Sequence, residues 1–176
     1  MKKSNTILLG LLMGGNSTSI ASLKALEKKY YISFIFTDQN SKELIKYANK
    51  NKIIYYTGNP RTSKFKSFFR INNIRKPDVI FSVGYKYLIK SNIFNFSSII
   101  SLNIHGSLLP EYKGRGPLVR SIMNGDLFTG ITVHEIDKTC DGGKILFQKK
   151  IKIPKNYTGS QMLGIFINLY PKIIIK

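Results

Sequence analysis

Ser101-Leu-Asn-Ile-His105-Gly-Ser-Leu-Leu-Pro110 is the stretch that decides how this chain is read. Ile99, Ile100, Leu102 and Ile104 give it the apolar character of a buried strand, which ends in His105, Gly106 and Ser107. Side chains alternate across a strand, so Asn103 and His105 project from the same face, about 7 Å apart along it. A carboxylate, Asp141, follows in a glycine-flanked loop that closes on Gly142 and Gly143. Folding alone does not demand polar groups in this order. An amide, an imidazole and a carboxylate converging at the carboxyl end of a strand suit acyl transfer.

Outward from that stretch, β and α signals alternate. Ile7 to Met13 reads as a first strand, the run from Gly14 to Ser19 as a turn, and Ile20 to Lys29 as a helix. The turn lacks both the dinucleotide-binding glycine pattern and the Walker lysine, so a plain tight connection is favoured over a phosphate site. Tyr31 to Thr37 is a second strand, Ser41 to Lys50 a helix capped by Ser41, and Ile53 to Tyr56 a short third strand. Thr62 to Asn73 alternates Lys with Phe at helical spacing; the favoured reading packs Phe on a sheet and leaves Lys in solvent. Pro77 to Val83 is another buried strand, ending at Gly84.

Mostly apolar strands separated by helices predict a parallel, doubly wound, Rossmann-like α/β sheet. Such sheets bind ligands beyond the carboxyl ends of their strands, so Gly84 and the Asn103/His105 pair should share one crevice. Beyond Pro117 a helix runs to about Asn124. Gly130 to Glu135 and Gly143 to Ile153 form a hairpin whose loop carries Asp141. Thr158-Gly159-Ser160 opens a last helix, which Pro171 is expected to stop near Tyr170.

At 176 residues, with 43% hydrophobic content, the chain fits one domain able to bury a core. Its formal charge of +19 would attract polyanions, but the lysines are scattered rather than striped, so most of that charge reads as solvated surface. A single cysteine excludes an internal disulfide framework and suits a reducing compartment. Met1-Lys2-Lys3 ahead of Ile7–Met13 mimics a signal peptide. A buried first strand looks the same and is the favoured reading, which places the protein in the cytoplasm. No apolar run is long enough for a membrane span. The apolar end, Lys172-Ile-Ile-Ile-Lys176, is abrupt and admits a truncation.

Four linked motifs carry a family likeness. Asn103-Ile-His105-Gly-Ser-Leu-Leu-Pro110, Tyr112-Lys-Gly-Arg115-Gly-Pro117, Gly130-Ile-Thr-Val-His134 and Asp141-x-Gly143 resemble the folate-dependent formyltransferases, densely from about Pro77 to Ile153. The resemblance implies one formyltransferase catalytic domain over residues 1–176 with 10-formyltetrahydrofolate as co-substrate and no metal. It makes Asn103, His105 and Asp141 the catalytic set. It also sets the pterin against Tyr85, Lys86, Tyr87, Leu88 and Ile89, and against the loop of Asp137, Lys138, Thr139, Cys140 and Asp141.

The residues agree with that chemistry in part. A tetrahedral intermediate needs N–H donors aimed at its oxyanion and a path for the amine proton. Asn103 offers the donor and His105 the acid or base. Asp141 can hold His105 charged or relay protons through water, and its charge would raise the imidazole's pKa. Arg115, bracketed by glycines, can grip a phosphate or carboxylate. His134 reads as structural, and Cys140 has no metal-ligand spacing.

Three details point to a nucleotide-linked amino sugar (dTDP- or UDP-linked) as acceptor, for cell-surface lipopolysaccharide or O-antigen synthesis. Gly106 stands where tRNA and purine enzymes carry proline. Ile80–Ile89 and Lys113–Pro117 look most like the sugar-nucleotide branch. The chain also ends before the nucleic-acid-binding barrel of a methionyl-tRNA enzyme. The alternatives are a methionyl-tRNA or glycinamide ribonucleotide formyltransferase core and a non-catalytic folate-binding paralogue. A basic nucleic-acid module is disfavoured, and a homodimer is admitted.

Overall fold

A computed structural model describes residues 7–60 and 63–175, with backbone only for 63–66. The charged start at Met1-Lys2-Lys3, Thr62 and Lys176 lie outside the described residues. Seven strands form one sheet in the order β3-β2-β1-β4-β5-β6-β7. The strands are β1 (Leu8–Met13), β2 (Tyr31–Thr37), β3 (Tyr55–Thr57), β4 (Val79–Val83), β5 (Ile100–His105), β6 (Phe128–Glu135) and β7 (Ile145–Lys152). The first five run parallel, and β6 and β7 are antiparallel to their neighbours. This is the doubly wound α/β sheet the sequence predicts, with a hairpin added at one edge.

Alternation along the strands builds two cores. Leu9, Leu11 and Met13 of β1, Ile35 of β2 and Phe81 and Val83 of β4 point to one face. There they meet helices α1 (Ser17–Leu26), α2 (Lys42–Lys50) and α6 (Gly159–Ile174). Leu12, Phe34, Phe36 and Ile80 point to the other face, against Phe68 and Phe69 of α3 (Ser63–Ile71) and Ile93 of α4 (Ser91–Phe94). Phe68 and Phe69 of α3 therefore pack on the sheet, as the sequence favours. Gly10 makes the second core possible, since a Cβ there would lie 2.4 Å from the Phe34 ring.

Several local expectations change. α1 begins three residues early because Asn16 caps it by accepting the Ser19 N–H at 2.9 Å. Ser41 precedes α2 but does not cap it; its hydroxyl donates to Asp38 at 2.9 Å. Ile99 lies outside β5 and is 72% exposed. Pro171 does not stop α6, which runs to Ile174. Burial of Tyr170, Ile173 and Ile174 holds the last turn against the core and outweighs the lost N–H. The helix opens at Thr158 as expected, and the structure adds a capping box with Gln161. No helix among the described residues is long and apolar enough to cross a membrane.

Candidate active site

Two neighbouring strand ends and one loop assemble the site. β5 and β6 pair antiparallel, with Asn103 opposite His134 and His105 opposite Thr132. The hairpin then brings Asp141 back over this end in a left-handed conformation, φ 48°, which a short Asp side chain tolerates. Its carboxylate is the meeting point. Oδ2 accepts the Gly114 N–H at 2.8 Å and lies 3.5 Å from His105 Nδ1. Oδ1 lies 3.4 Å from Asn103 Nδ2 and 3.6 Å from His134 Nε2. Asn103, His105 and Asp141 thus come together as the sequence predicts, and His134 joins them.

The loop between β5 and α5 (Pro117–Met123) holds the other side of the histidine. His105 Nε2 lies 2.9 Å from the Tyr112 carbonyl oxygen. A carbonyl only accepts, so Nε2 carries a proton and Nδ1 is the ring nitrogen left to take another. Tyr112 is pinned in turn: its hydroxyl donates to Asp126 at 2.5 Å and accepts from Asn124 at 2.9 Å. Ser107 donates to the Glu111 carbonyl at 2.6 Å, and Thr132 donates to the Ser107 carbonyl at 2.7 Å. The sequence carries no signal for the Tyr112 carbonyl or the Gly114 N–H, because every residue has these groups. Their roles come from loop geometry alone.

Burial by itself would raise the Asp141 carboxyl. Contact with His134, the nearness of His105 and the Gly114 N–H outweigh it and hold the group at about 2. For His105 the balance runs the other way. Desolvation lowers its pKa, and the opposing pull of Asp141 and the Tyr112 carbonyl does not restore it. Asp141 does raise the imidazole as expected, but burial outweighs it, which disfavours the first of its two candidate roles, holding His105 charged at rest. At neutral pH the imidazole is a neutral base, and Asp141 becomes an ion-pair partner only when a proton arrives on Nδ1.

The Asp141 shift also sets a stability window. An unfolded aspartate titrates at about 3.9, above the folded value of about 2. The unfolded chain therefore binds the proton first as pH falls. The stabilising contribution is complete above about pH 4 and is lost as pH drops towards about 2. Asp141→Asn should flatten the acid side of the stability curve, read as urea midpoints across that range.

The expected pterin-facing segments flank this centre. After β4, Lys86 Nζ is paired with Asp38 at 2.9 Å, and Tyr85 packs edge-on to Tyr87 at 5.6 Å. Ile89 packs against the second core, whereas Leu88 is 50% exposed. The Tyr85 hydroxyl is buried with no hydrogen-bond partner. Exposed Arg115 donates to the Lys86 carbonyl at 3.2 Å, so its loop is tied to this segment. In the hairpin loop, Asp137 accepts the Thr139 N–H at 2.7 Å and its hydroxyl at 2.5 Å, and these bonds lower the Asp137 pKa. Lys138, Thr139 and Cys140 are exposed. Partial burial and the Asp141 charge push the Cys140 thiol up, away from a reactive thiolate.

The chain belongs to the formyl transferase family, whose sequence profile matches residues 14–175. It is 31% identical over 161 residues to the methionyl-tRNA formyltransferase of Kosmotoga olearia, covering 87% of this chain and 52% of that protein. Over 100 residues it is 39% identical to the bifunctional polymyxin resistance protein ArnA of Wigglesworthia glossinidia brevipalpis, covering 52% of this chain and 15% of that protein. The chain therefore spans about half or less of these curated relatives.

Its fold matches the phosphoribosylglycinamide formyltransferase of Bacillus halodurans at a TM-score of 0.78 and 19% identity, over 96% of this chain and 93% of that one. It also matches a formyltetrahydrofolate deformylase of Pseudomonas syringae at 0.80 and 18% identity, over 98% and 60%. Membership of this family agrees with the formyl-folate donor expected from the motifs.

Proposed function

We propose that this chain transfers a formyl group from 10-formyltetrahydrofolate to the amine of a nucleotide-linked amino sugar. The observation that carries the reaction is the convergence of Asn103, His105 and Asp141 on one strand end, within 3.5 Å of the shared carboxylate. The folate supplies an activated formyl group. Asn103 offers an N–H to the oxygen that becomes anionic as the amine adds to the formyl carbon. His105 Nδ1 takes the proton that the amine loses, and Asp141 balances the imidazolium so formed. That proton then returns to the departing folate nitrogen as the new amide is released. Tyr85 keeps a buried hydroxyl without a protein partner, which a polar bound molecule would satisfy.

The sugar acceptor rests on the likeness of Ile80–Ile89 and Lys113–Pro117 to the sugar-nucleotide branch. The 39% identity to a relative named for polymyxin resistance, rather than for purine or tRNA formylation, supports it. Gly106 adds less than its sequence position suggests. A Cβ there would lie 3.1 Å from the Tyr170 hydroxyl and 3.3 Å from Phe166, so packing against α6 accounts for the small residue. We place this catalytic domain in the cytoplasm, serving cell-surface glycan synthesis.

Methionyl-tRNA is the second reading, favoured by 31% identity over most of the chain and a charge of +19. Incubation with 10-formyltetrahydrofolate and a panel of dTDP- and UDP-amino sugars separates the two. A sugar product heavier by one formyl group supports the proposal, whereas formylation of methionyl-tRNA alone overturns the sugar reading. Arg115→Ala should raise the apparent KM about tenfold, the loss of one charged hydrogen bond, with kcat little changed. Unchanged KM values for both substrates would return Arg115 to the surface.

A further inference from the structure

We propose that His134 is a positioning residue that fixes which end of the Asn103 amide faces the formyl oxygen, an inference that rests on the formyl-transfer reading above. A side-chain amide rotates easily about its last bond, and its two ends are opposite in kind: one donates, the other accepts. An oxyanion needs the donating end. Something must therefore hold the Asn103 amide one way round.

The cross-strand partner of Asn103 does this. His134 is 2% exposed, and its Nδ1 lies 2.7 Å from the Glu135 carbonyl oxygen. Since a carbonyl only accepts, Nδ1 carries the proton, and in the neutral ring Nε2 presents a lone pair. Asn103 Nδ2 stands 3.1 Å from that lone pair and donates to it. Turned over, the amide would set its oxygen against the same lone pair, acceptor against acceptor. One N–H is thus spent on orientation. The other points at Asp141 Oδ1 across 3.4 Å, longer than an ordinary N–H···O bond, and is the one available to the oxyanion. Asp141 Oδ1 is 3.6 Å from the same nitrogen and draws on it only when Nε2 carries a proton; in the neutral ring the nearer Asn103 N–H, at 3.1 Å, is its partner.

Two substitutions separate positioning from packing. His134→Leu keeps bulk but removes the acceptor. It should lower kcat about 10²-fold, the scale of one lost oxyanion donor, with both KM values within about threefold of wild type. His134→Gln sets an amide oxygen where Nε2 was and should restore kcat to within about tenfold of wild type. Adding Asn103→Ala to His134→Leu should cost almost nothing more, since both remove the same donor. Wild-type kcat in the leucine variant, equal losses in both variants, or additive losses with Asn103→Ala would each overturn the assignment.

Nitrogen NMR of the wild-type protein at pH 8 needs neither turnover nor a stable variant. It should show His134 protonated on Nδ1, with a coupling across the hydrogen bond from Asn103 Nδ2 to His134 Nε2. A ring protonated on Nε2, or no coupling, overturns the proposal whatever the substrate proves to be. A wild-type enzyme that shows the coupling but formylates no amine would instead remove the functional reading.

Discussion

Replacing His105 by alanine should cut turnover about 10²- to 10⁴-fold, the usual contribution of a positioned proton acceptor. The imidazole is buried, its Nε2 is anchored on the Tyr112 carbonyl, and its Nδ1 is 3.5 Å from Asp141. The other groups drawn together here are poorer acceptors for the amine proton, since the His134 Nε2 lone pair is already engaged by the Asn103 amide at 3.1 Å. Asn103 has no basic nitrogen, and Asp141 is too weak a base with a carboxyl held at about 2. Asp141→Asn should lose a comparable factor, because the amide cannot balance an imidazolium. It should also drop the His105 pKa further, since Asp141 is the main influence raising it.

The double variant should be little worse than either single one, as groups that act in one step are not additive. Melting temperatures within a few degrees of wild type would locate the effect in chemistry. Near-wild-type kcat in His105→Ala would remove the mechanism.

Phe36→Ala should cost about 3–5 kcal/mol of stability. The side chain is fully buried in the second core. Its ring sits 4.6 Å from Phe34 and between 5.5 and 5.8 Å from Phe68, Phe69 and Tyr56. Such a cluster joins β2 to α3 through ring edges and leaves little slack to close over a void. A domain is commonly stable by about 5–15 kcal/mol, so this one change would take a large share of the total. Urea unfolding should show a lower midpoint with an unchanged slope. A loss below about 1 kcal/mol would mean that α3 collapses readily onto β2.

The sequence made the site legible where one strand was enough. Asn103 and His105 share a face by alternation, and Asp141 is set apart by its glycines. His134 was not legible, because its importance depends on which residue it meets across the sheet. That register is fixed by the pairing of β5 with β6, so the motif ending in His134 marks the residue as structural without saying which side chain it meets. The resting protonation of His105, left open between acid and base, could not be decided for a related reason. A neighbouring carboxylate is visible in a sequence motif, whereas the depth of burial that outweighs it is a property of the folded chain. Pro171 failed as a stop signal because local propensity yielded to the apolar surface that Ile173 and Ile174 bury. The alternating strands, by contrast, depend on local pattern, and β2 falls where the residues themselves place it.

α6 lies against α1 and closes the first core, and Lys29 Nζ donates to the Ile175 carbonyl at 2.9 Å. During synthesis on a ribosome, α1 and α2 cover only part of the sheet face formed by β1, β2 and β4, and the rest stays open until α6 has left the exit tunnel. The chain should then spend most of its translation as a sheet half-wrapped on one side, open to chaperones and proteases, and complete its fold in a late step. Pausing translation before α6 should leave nascent chains sensitive to protease at α1. Release past Ile175 should protect them abruptly rather than by degrees.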